Sequence, residues 1–494
     1  MSLFERIALV VAVLVGYSLL CLYCGWRYRR KQILEQGTLT QGTLTQGTLV
    51  QGTFAQDAVD QGLSSKSEAG TFLVAYASQS GTAATIAKRS AASLAGHHDY
   101  QLLPLNKVTE DVLKHSHQAL FVVSTYGEGE APDNGVAFAK RYLHAAGGID
   151  LSHLQFSVLA LGDKLYQQFC AFGHQLHVGL CQLGAIPLFD PMEACATEGY
   201  SQDLLINQWR NQLGLFELDE QSDEQLNALW QDTELEQWQL MSRDCLNPLS
   251  PGAPAYHLRL CHPDINHKRW QAGDIVEITI PEEVAAIHHE SQPEIVKRKY
   301  SIASIPEDGS IDLVVRQHRN AAGHLGLGSG WLTKGADIQS EIRLRLCDNP
   351  SFHGIATSQP MILIGSGTGM AGLRAHIKAR ALQKGSQNWL LFGERSRQHD
   401  GFFAEEIKAW QQSKVLARVD LAFSREPEAI RYVQDLLLDN AEEVRRWLAN
   451  DAVIFVCGNR QGMAQGVDQV LREILGQTGY DKLIENDGYR RDVY

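Results

Sequence analysis

The sequence predicts a multidomain chain with four parts: an N-terminal transmembrane helix, an α/β domain, an antiparallel β-barrel and a second α/β domain. Three observations lead there. The chain opens with an uncharged apolar run from Ile7 to Trp26. Strand-like runs at Phe72, Ala119, Phe156 and Met361 each end in a glycine-bearing turn, the pattern of open parallel sheets whose ligands sit at strand C-termini. Between these two groups lie strands with antiparallel patterning, which suit a small barrel. At 494 residues the chain is too long for one core, and about three folded domains are expected.

Composition narrows the class. Hydrophobic content of 44% and charged content of 20% describe globular protein, not disorder. A net charge of −13 with no basic stripe argues against nucleic-acid binding. The nine cysteines show no disulfide or zinc spacing outside the apolar run, so a reducing compartment and no metal site are expected. Cys21 and Cys24 fall inside the apolar run and read as packing residues.

The twenty residues Ile7 to Trp26 can cross about 30 Å of hydrocarbon as a helix. Arg27, Arg29, Arg30 and Lys31 follow the run, whereas Glu5 and Arg6 before it cancel. The positive-inside rule then predicts a single-pass anchor (residues 1–32) in the inner (plasma) membrane with the long C-terminal part cytoplasmic. A cleaved signal peptide is disfavoured, because the positive charge follows the run and no small-x-small site is clear. Residues 36–56 repeat with period five (QGTLT, QGTLT, QGTLV, QGTFA), too short a unit to build a core, so 33–70 read as a flexible tether.

Residues 71–215 open with the strand FLVAYA, then Ser78-Gln79-Ser80-Gly81-Thr82-Ala83, then a helical pattern. Strand, hydroxyl-rich glycine turn and helix start form a phosphate cradle, and the absence of a Gly-Lys-Ser/Thr sequence excludes a Walker loop. The strand at 119–123 runs into STYGEGE, and the strand at 156–161 into GDKLYQQFC. Tyr126 and Tyr166, each beside such a loop, look like two faces of an aromatic sandwich. Together the three loops resemble those of a flavodoxin-type FMN domain. The resemblance implies that Ser78, Gln79, Ser80, Gly81, Thr82 and Ala83 hold the FMN phosphate, and that Tyr126 and Tyr166 flank the isoalloxazine. Ser124, Thr125, Gly127 and Gly129 of the second loop would line the site, with Leu161, Gly162, Asp163, Phe169 and Cys170 of the third.

Residues 216–250 are polar and acidic and read as a linker. The strands that follow, in 251–356, include YHLRL and DIVEITI, with RWQAGD between them. Arg298-Lys299-Tyr300-Ser301 then precedes the alternating strand Ile311, Leu313, Val315. Such a strand end can offer a guanidinium to a diphosphate, a ring to a flat cofactor and a hydroxyl to its reactive edge. RWQAGD and RKYSIAS resemble motifs of ferredoxin-reductase-type FAD domains. The resemblance implies that Arg298, Lys299, Tyr300 and Ser301 hold FAD, with Val314, Val315 and Arg316 and the cradle Gly326, Leu327, Gly328 and Ser329. Only about two dozen residues separate Asp274 from Arg298, so the long helical insert that usually orients the two flavins is missing.

Residues 357–494 begin with strand MILI, the turn Gly365-Ser366-Gly367-Thr368-Gly369 and a helix, a dinucleotide diphosphate site. A serine and two arginines, Ser424, Arg425 and Arg431, can grip a ribose 2′-phosphate. The segment resembles the NADP domain of the same reductases. By resemblance Gly367, Thr368, Gly369, Arg395, Ser424, Arg425, Arg431, Tyr432 and Gln434 hold NADPH. Likewise Ser301, Cys457 and Asp492 assist hydride transfer, and the terminal Tyr494 covers the flavin and must move for nicotinamide to stack.

Residues 71–494 as a whole resemble the diflavin reductase family, of the NADPH-dependent sulfite reductase flavoprotein and NADPH–cytochrome reductase types. The resemblance implies the cofactors FMN, FAD and NADPH. It also implies an electron path from NADPH through FAD and FMN to a haem or iron–sulfur acceptor protein. Two versions are expected: a membrane-anchored reductase, or the flavoprotein component of assimilatory sulfite reductase.

Overall fold

The computed structural model describes residues 71–79, 81–94, 98–127, 129–143, 149–164, 167–195, 208–209, 212, 235–286, 296–320, 323–426 and 431–494. The expected membrane helix and tether, Ser80 and Tyr166 lie outside these residues. No helix among the described residues is long and apolar enough to cross a membrane.

Six strands form the first sheet: β1 (Thr71–Ala77), β2 (Tyr100–Pro104), β3 (Ser116–Ser124), β4 (Gln155–Gly162), β5 (Ile186–Pro187) and β6 (Met192–Cys195). All pairings are parallel, in the order β2-β1-β3-β4-β5 with β6 also on β4. The order reverses at β1, so the C-terminal ends of β1 and β3 flank the crevice where such sheets bind ligands. Both faces are covered, which explains the continuous apolar runs of these strands. Phe121, Phe138, Phe156 and Phe172 pack on one side. Ile86, Leu94, Leu159 and Trp209 pack on the other. The helix Thr82–Leu94 presents Ala83, Ala84, Ile86, Ala87 and Ala91 to the sheet at helical spacing.

The second sheet contains β7 (Glu236–Cys245), β8 (Ala255–Cys261), β9 (Ile275–Thr279), β10 (Lys297–Ser301), β11 (Ile311–Arg316) and β12 (Glu341–Cys347), in the order β10-β9-β12-β7-β8-β11. All pairings are antiparallel. The two edge strands meet through an Ile302–Leu313 bridge and a 2.7 Å bond from the Ala303 N–H to the Asp312 carbonyl, which closes the barrel. Trp238, Ile278, Leu313, Trp331 and Leu344 fill its interior. The expected linker 216–250 therefore needs correcting, because Glu236–Cys245 is a barrel strand. Its polar composition concealed it: Trp238 and Leu240 point inward while Gln237 and Gln239 face outward. Between β9 and β10 the described chain holds only the short helix Glu282–Ala286.

The third sheet is parallel, in the order β15-β14-β13-β16-β17. Its strands are β13 (Met361–Ser366), β14 (Asn388–Glu394), β15 (Arg418–Phe423), β16 (Val453–Gly458) and β17 (Tyr489–Val493). The centre, β13, carries the glycine turn and the helix Met370–Leu382.

A buried ionic network ties the barrel to this sheet. Arg374 donates to Asp312 Oδ2 at 3.0 Å, to the Ala303 carbonyl at 2.7 Å and to both oxygens of Glu406 at 2.8 Å. His257 Nε2 lies 3.0 Å from Asp312 Oδ2, and the Ser310 hydroxyl donates to Asp312 Oδ1 at 2.8 Å. Burial alone would raise the Asp312 pKa, but the His257 and Ser310 hydrogen bonds and the His257 and Arg374 charges outweigh it, and it falls to about 2. Replacing Arg374 by methionine removes the buried guanidinium that joins the Asp312 and Glu406 carboxylates. Arg374→Met should therefore lower unfolding free energy by about 3 kcal/mol in denaturant titration. An unchanged transition would mean that the network adds nothing to the domain junction.

Candidate functional site

Strand pairing brings three distant residues together. Cys457 on β16 lies in register with Asp492 on β17. Ser301, at the end of β10, donates its hydroxyl to Asp492 Oδ2 at 2.6 Å, and the Cys457 thiol lies 3.8 Å from the same oxygen. All three side chains are buried. Burial pushes the Asp492 pKa up, against the Ser301 and Cys457 hydrogen bonds and the Lys299 charge. Burial and then the Asp492 charge push the Cys457 thiol well above its ordinary range, so it stays protonated as a weak donor. Tyr494 follows, its backbone held by Gly458 and Arg460 and its phenol donating to Thr368 Oγ1 at 3.0 Å. The residue is half exposed, held by its backbone at one end and its phenol at the other.

Beside this cluster the ends of β13, β14 and β15 open on a cavity of about 630 Å³. Gly367, Thr368, Arg395, Ser424, Arg431 and Tyr432 line it, as does Gln434. These are residues expected to hold NADPH, and Tyr494 closes one side. Gly369 does not line the cavity: a Cβ there would lie 1.9 Å from the Cys457 carbonyl, so its role is the close approach of the turn to β16. Arg425 is also absent from the lining, exposed on the loop after β15. Asn459, which follows Cys457-Gly458, and Met463, which carries no sequence signal, complete the wall from the loop after β16.

The residues expected to hold FAD divide by strand alternation. Arg298 and Tyr300 face the short helix Leu327–Gly330, where a Cβ on Gly328 would lie 2.8 Å from both the Tyr300 hydroxyl and Arg298 Cγ. Only a residue without a side chain lets that cradle approach the strand. Ser329 Oγ accepts from the His318 N–H at 3.1 Å, and Gly326 donates to the His318 carbonyl at 2.9 Å, which fixes the turn. Val314 and Val315 pack in two different cores and can offer only backbone. Arg316 pairs with Glu394 and lines the 630 Å³ cavity instead. Lys299 points away from Arg298 and Tyr300, and its Nζ donates to Thr82 Oγ1 at 2.8 Å.

The loops expected to hold FMN line a second cavity of about 270 Å³, with Gln79, Thr82, Ser124, Thr125, Tyr126 and Gly127 on one side. Leu161, Gly162 and Asp163 supply the third loop. Ser78 opens instead on a separate cavity, with Gly81, Asp133, Asn134 and Arg490, and its buried hydroxyl has no hydrogen-bond partner among the described residues. Gly81 has φ +81°, and a Cβ there would meet the Asp348 carbonyl at 2.4 Å. Ala83 and Cys170 are buried in the core, Cys170 bonding the Ala160 carbonyl at 3.3 Å, so both shape their loops without lining the cavity. Phe169 packs against the same core, and Gly129 packs on Gln168.

Across this cavity stand Arg460, Val493 and Tyr494 of the third sheet's domain, so Tyr494 lines both cavities. Arg460 and Arg491 approach the Tyr126 ring at 4.3 and 5.1 Å from its centroid. Burial pushes the Tyr126 phenol up to about 12, against both guanidinium charges. Arg460 and Arg491 carry no motif signal of their own, and their partners lie hundreds of residues away.

Comparison with known proteins agrees with this layout. The flavodoxin family model matches residues 74–227, and the oxidoreductase NAD-binding domain model matches 363–469. The sulfite reductase [NADPH] flavoprotein alpha-component of Thiocapsa roseopersicina is 28% identical over 440 residues, covering 81% of this chain and 83% of that protein. Its counterpart from Vibrio cholerae (El Tor Inaba) is 24% identical, covering 88% and 89%. That of Salmonella arizonae is 34% identical over 217 residues, 40% of this chain and 36% of that protein.

Proposed function

The chain belongs to the diflavin reductase family, and we propose that it passes electrons from NADPH through FAD and FMN to a separate haem or iron–sulfur protein. It is an NADPH-dependent flavoprotein reductase of the sulfite reductase flavoprotein type. The observation that carries the proposed path is the position of the Ser301–Asp492–Cys457 cluster and Tyr494. Tyr494 lines both the 630 Å³ cavity and the 270 Å³ cavity at the flavodoxin-like loops, and it follows within two residues the Asp492 carboxylate that Ser301 and Cys457 meet.

Bound flavins supply the chemistry of accepting two electrons and releasing them singly. The chain's own residues bind and orient. Gly367 and Thr368 face the dinucleotide diphosphate, and Ser424 and Arg431 grip the 2′-phosphate that distinguishes NADPH from NADH. Arg298, Tyr300 and the Gly326–Ser329 cradle hold FAD. Ser78, Thr82, Thr125 and Tyr126 hold FMN. Asp492 Oδ2 accepts the Ser301 hydrogen bond and fixes that hydroxyl, which with Cys457 would border the reactive edge of a bound flavin. Tyr494, between the two cavities, would cover that edge and would have to move for nicotinamide to reach it.

The relatives' name, sulfite reductase [NADPH] flavoprotein alpha-component, supports a role as the flavoprotein component of a sulfite reductase with a further component as partner. The apolar run Ile7–Trp26 supports a single-pass anchor in the inner membrane with the catalytic part cytoplasmic, which would set this chain apart from a freely diffusing subunit. The test is to extract and quantify flavins from the purified chain and to assay cytochrome c reduction with NADPH and NADH. One FAD and one FMN per chain with NADPH preferred are expected, and FAD alone would overturn the FMN half of the path. Ser301→Ala should slow flavin reduction by NADPH roughly a hundredfold in stopped flow while FAD content holds, and an unchanged rate would remove Ser301 from hydride transfer.

A further inference from the structure

Period-two alternation puts Arg298 and Tyr300 on one face of β10 and Lys299 and Ser301 on the other. The first pair meets Gly328, whereas Ser301 meets Asp492. Lys299 crosses to the first sheet's domain, its ammonium 2.8 Å from Thr82 Oγ1. Thr82 is the first residue of the helix Thr82–Leu94, at the end of the hydroxyl-rich turn. No residue from Ser78 to Ala83 is cationic. The next cation on that helix, Lys88, is engaged by Asp348 at 2.9 Å. The same turn holds the Ser78 hydroxyl, buried and without a hydrogen-bond partner among the described residues. A phosphate dianion bound there would meet hydroxyls and backbone N–H groups from its own domain, and cations only from the other two: Lys299 of β10 at the Thr82 hydroxyl, and Arg460 across the 270 Å³ cavity.

We infer that Lys299 completes the FMN-phosphate site from the neighbouring barrel domain, as a phosphate-binding residue rather than an FAD-binding one. The inference rests on the FMN reading of the turn. An ammonium held by a hydroxyl at 2.8 Å is placed for a charge-assisted bond to a phosphate oxygen bound by that hydroxyl. The nearby acid Asp348 is engaged by Lys88. Because the cation and the loop belong to different domains, FMN binding and domain docking strengthen each other by the same factor.

The test uses the full chain depleted of FMN and titrated with FMN and with riboflavin, which lacks the phosphate, following flavin fluorescence. Lys299→Met should raise the FMN Kd about tenfold, leave the riboflavin Kd unchanged and leave bound FAD unchanged. Lys299→Arg should keep most of the FMN affinity, and the salt dependence of FMN binding should flatten only in the methionine variant. Equal FMN Kd values for wild type and Lys299→Met would overturn the inference. So would parallel weakening of FMN and riboflavin, or loss of FAD. A wild-type chain that binds neither titrated flavin would overturn the FMN reading itself, a result distinguishable from the others.

Discussion

Arg491 sits between two aspartates from two domains, and the relation of the flavodoxin-like sheet to the rest of the molecule depends on it. It donates to Asp133 from Nε at 3.0 Å and also from Nη2, and from Nη1 to Asp468 Oδ2 at 2.8 Å. Asp133 in turn accepts from Gln79 Nε2 at 2.9 Å, and its N–H donates back to Gln79 Oε1 at 3.1 Å. One residue beyond Arg491 is Asp492, which holds Ser301. Polar contacts thus run from Gln79 through Asp133 to Arg491, and one step along β17 brings the chain to Asp492 and Ser301. A guanidinium buried to 7% exposure requires such partners, because losing one leaves an uncompensated charge in low dielectric.

Around this buried centre the contacts between domains are polar and peripheral. Lys88 meets Asp348, Lys107 meets Asp487 and Lys140 meets Asp481, all with substantial solvent exposure. Such pairs contribute little each and are screened by salt. The interface therefore suits a domain that docks and leaves: one buried ionic knot for register, and a rim of weak pairs. That arrangement also accommodates the missing connecting insert. The covalent path from β9 to β10 is short, and orientation comes from side chains that meet across the interface.

The three strand-turn-helix units were legible in the sequence because each is a local pattern in which apolar period and glycine placement agree. The Ser301, Cys457 and Asp492 cluster was legible only through resemblance, since no spacing links positions this far apart. Strand β7 was not legible, because its outward glutamines matched the acidic stretch before it. Lys299 was assigned with its neighbours to one ligand, although a strand must send adjacent side chains to opposite faces. Arg460, Arg491 and Asp133 were invisible for a different reason. Contacts between domains follow from how whole domains sit, and no local period records them.

Hydrogen exchange on the full chain carrying Asp133→Asn tests most directly whether docking and the order of β17 are one equilibrium. That substitution lies in the flavodoxin-like domain and removes the charge that Arg491 meets, while keeping its shape. If these polar contacts couple the two, amides of Tyr489–Val493 and of the loop after β3 should lose protection together while the central strands of both sheets keep theirs. Unchanged exchange in β17, with or without a change in the loop, would contradict the coupling and leave Arg491 a local contact.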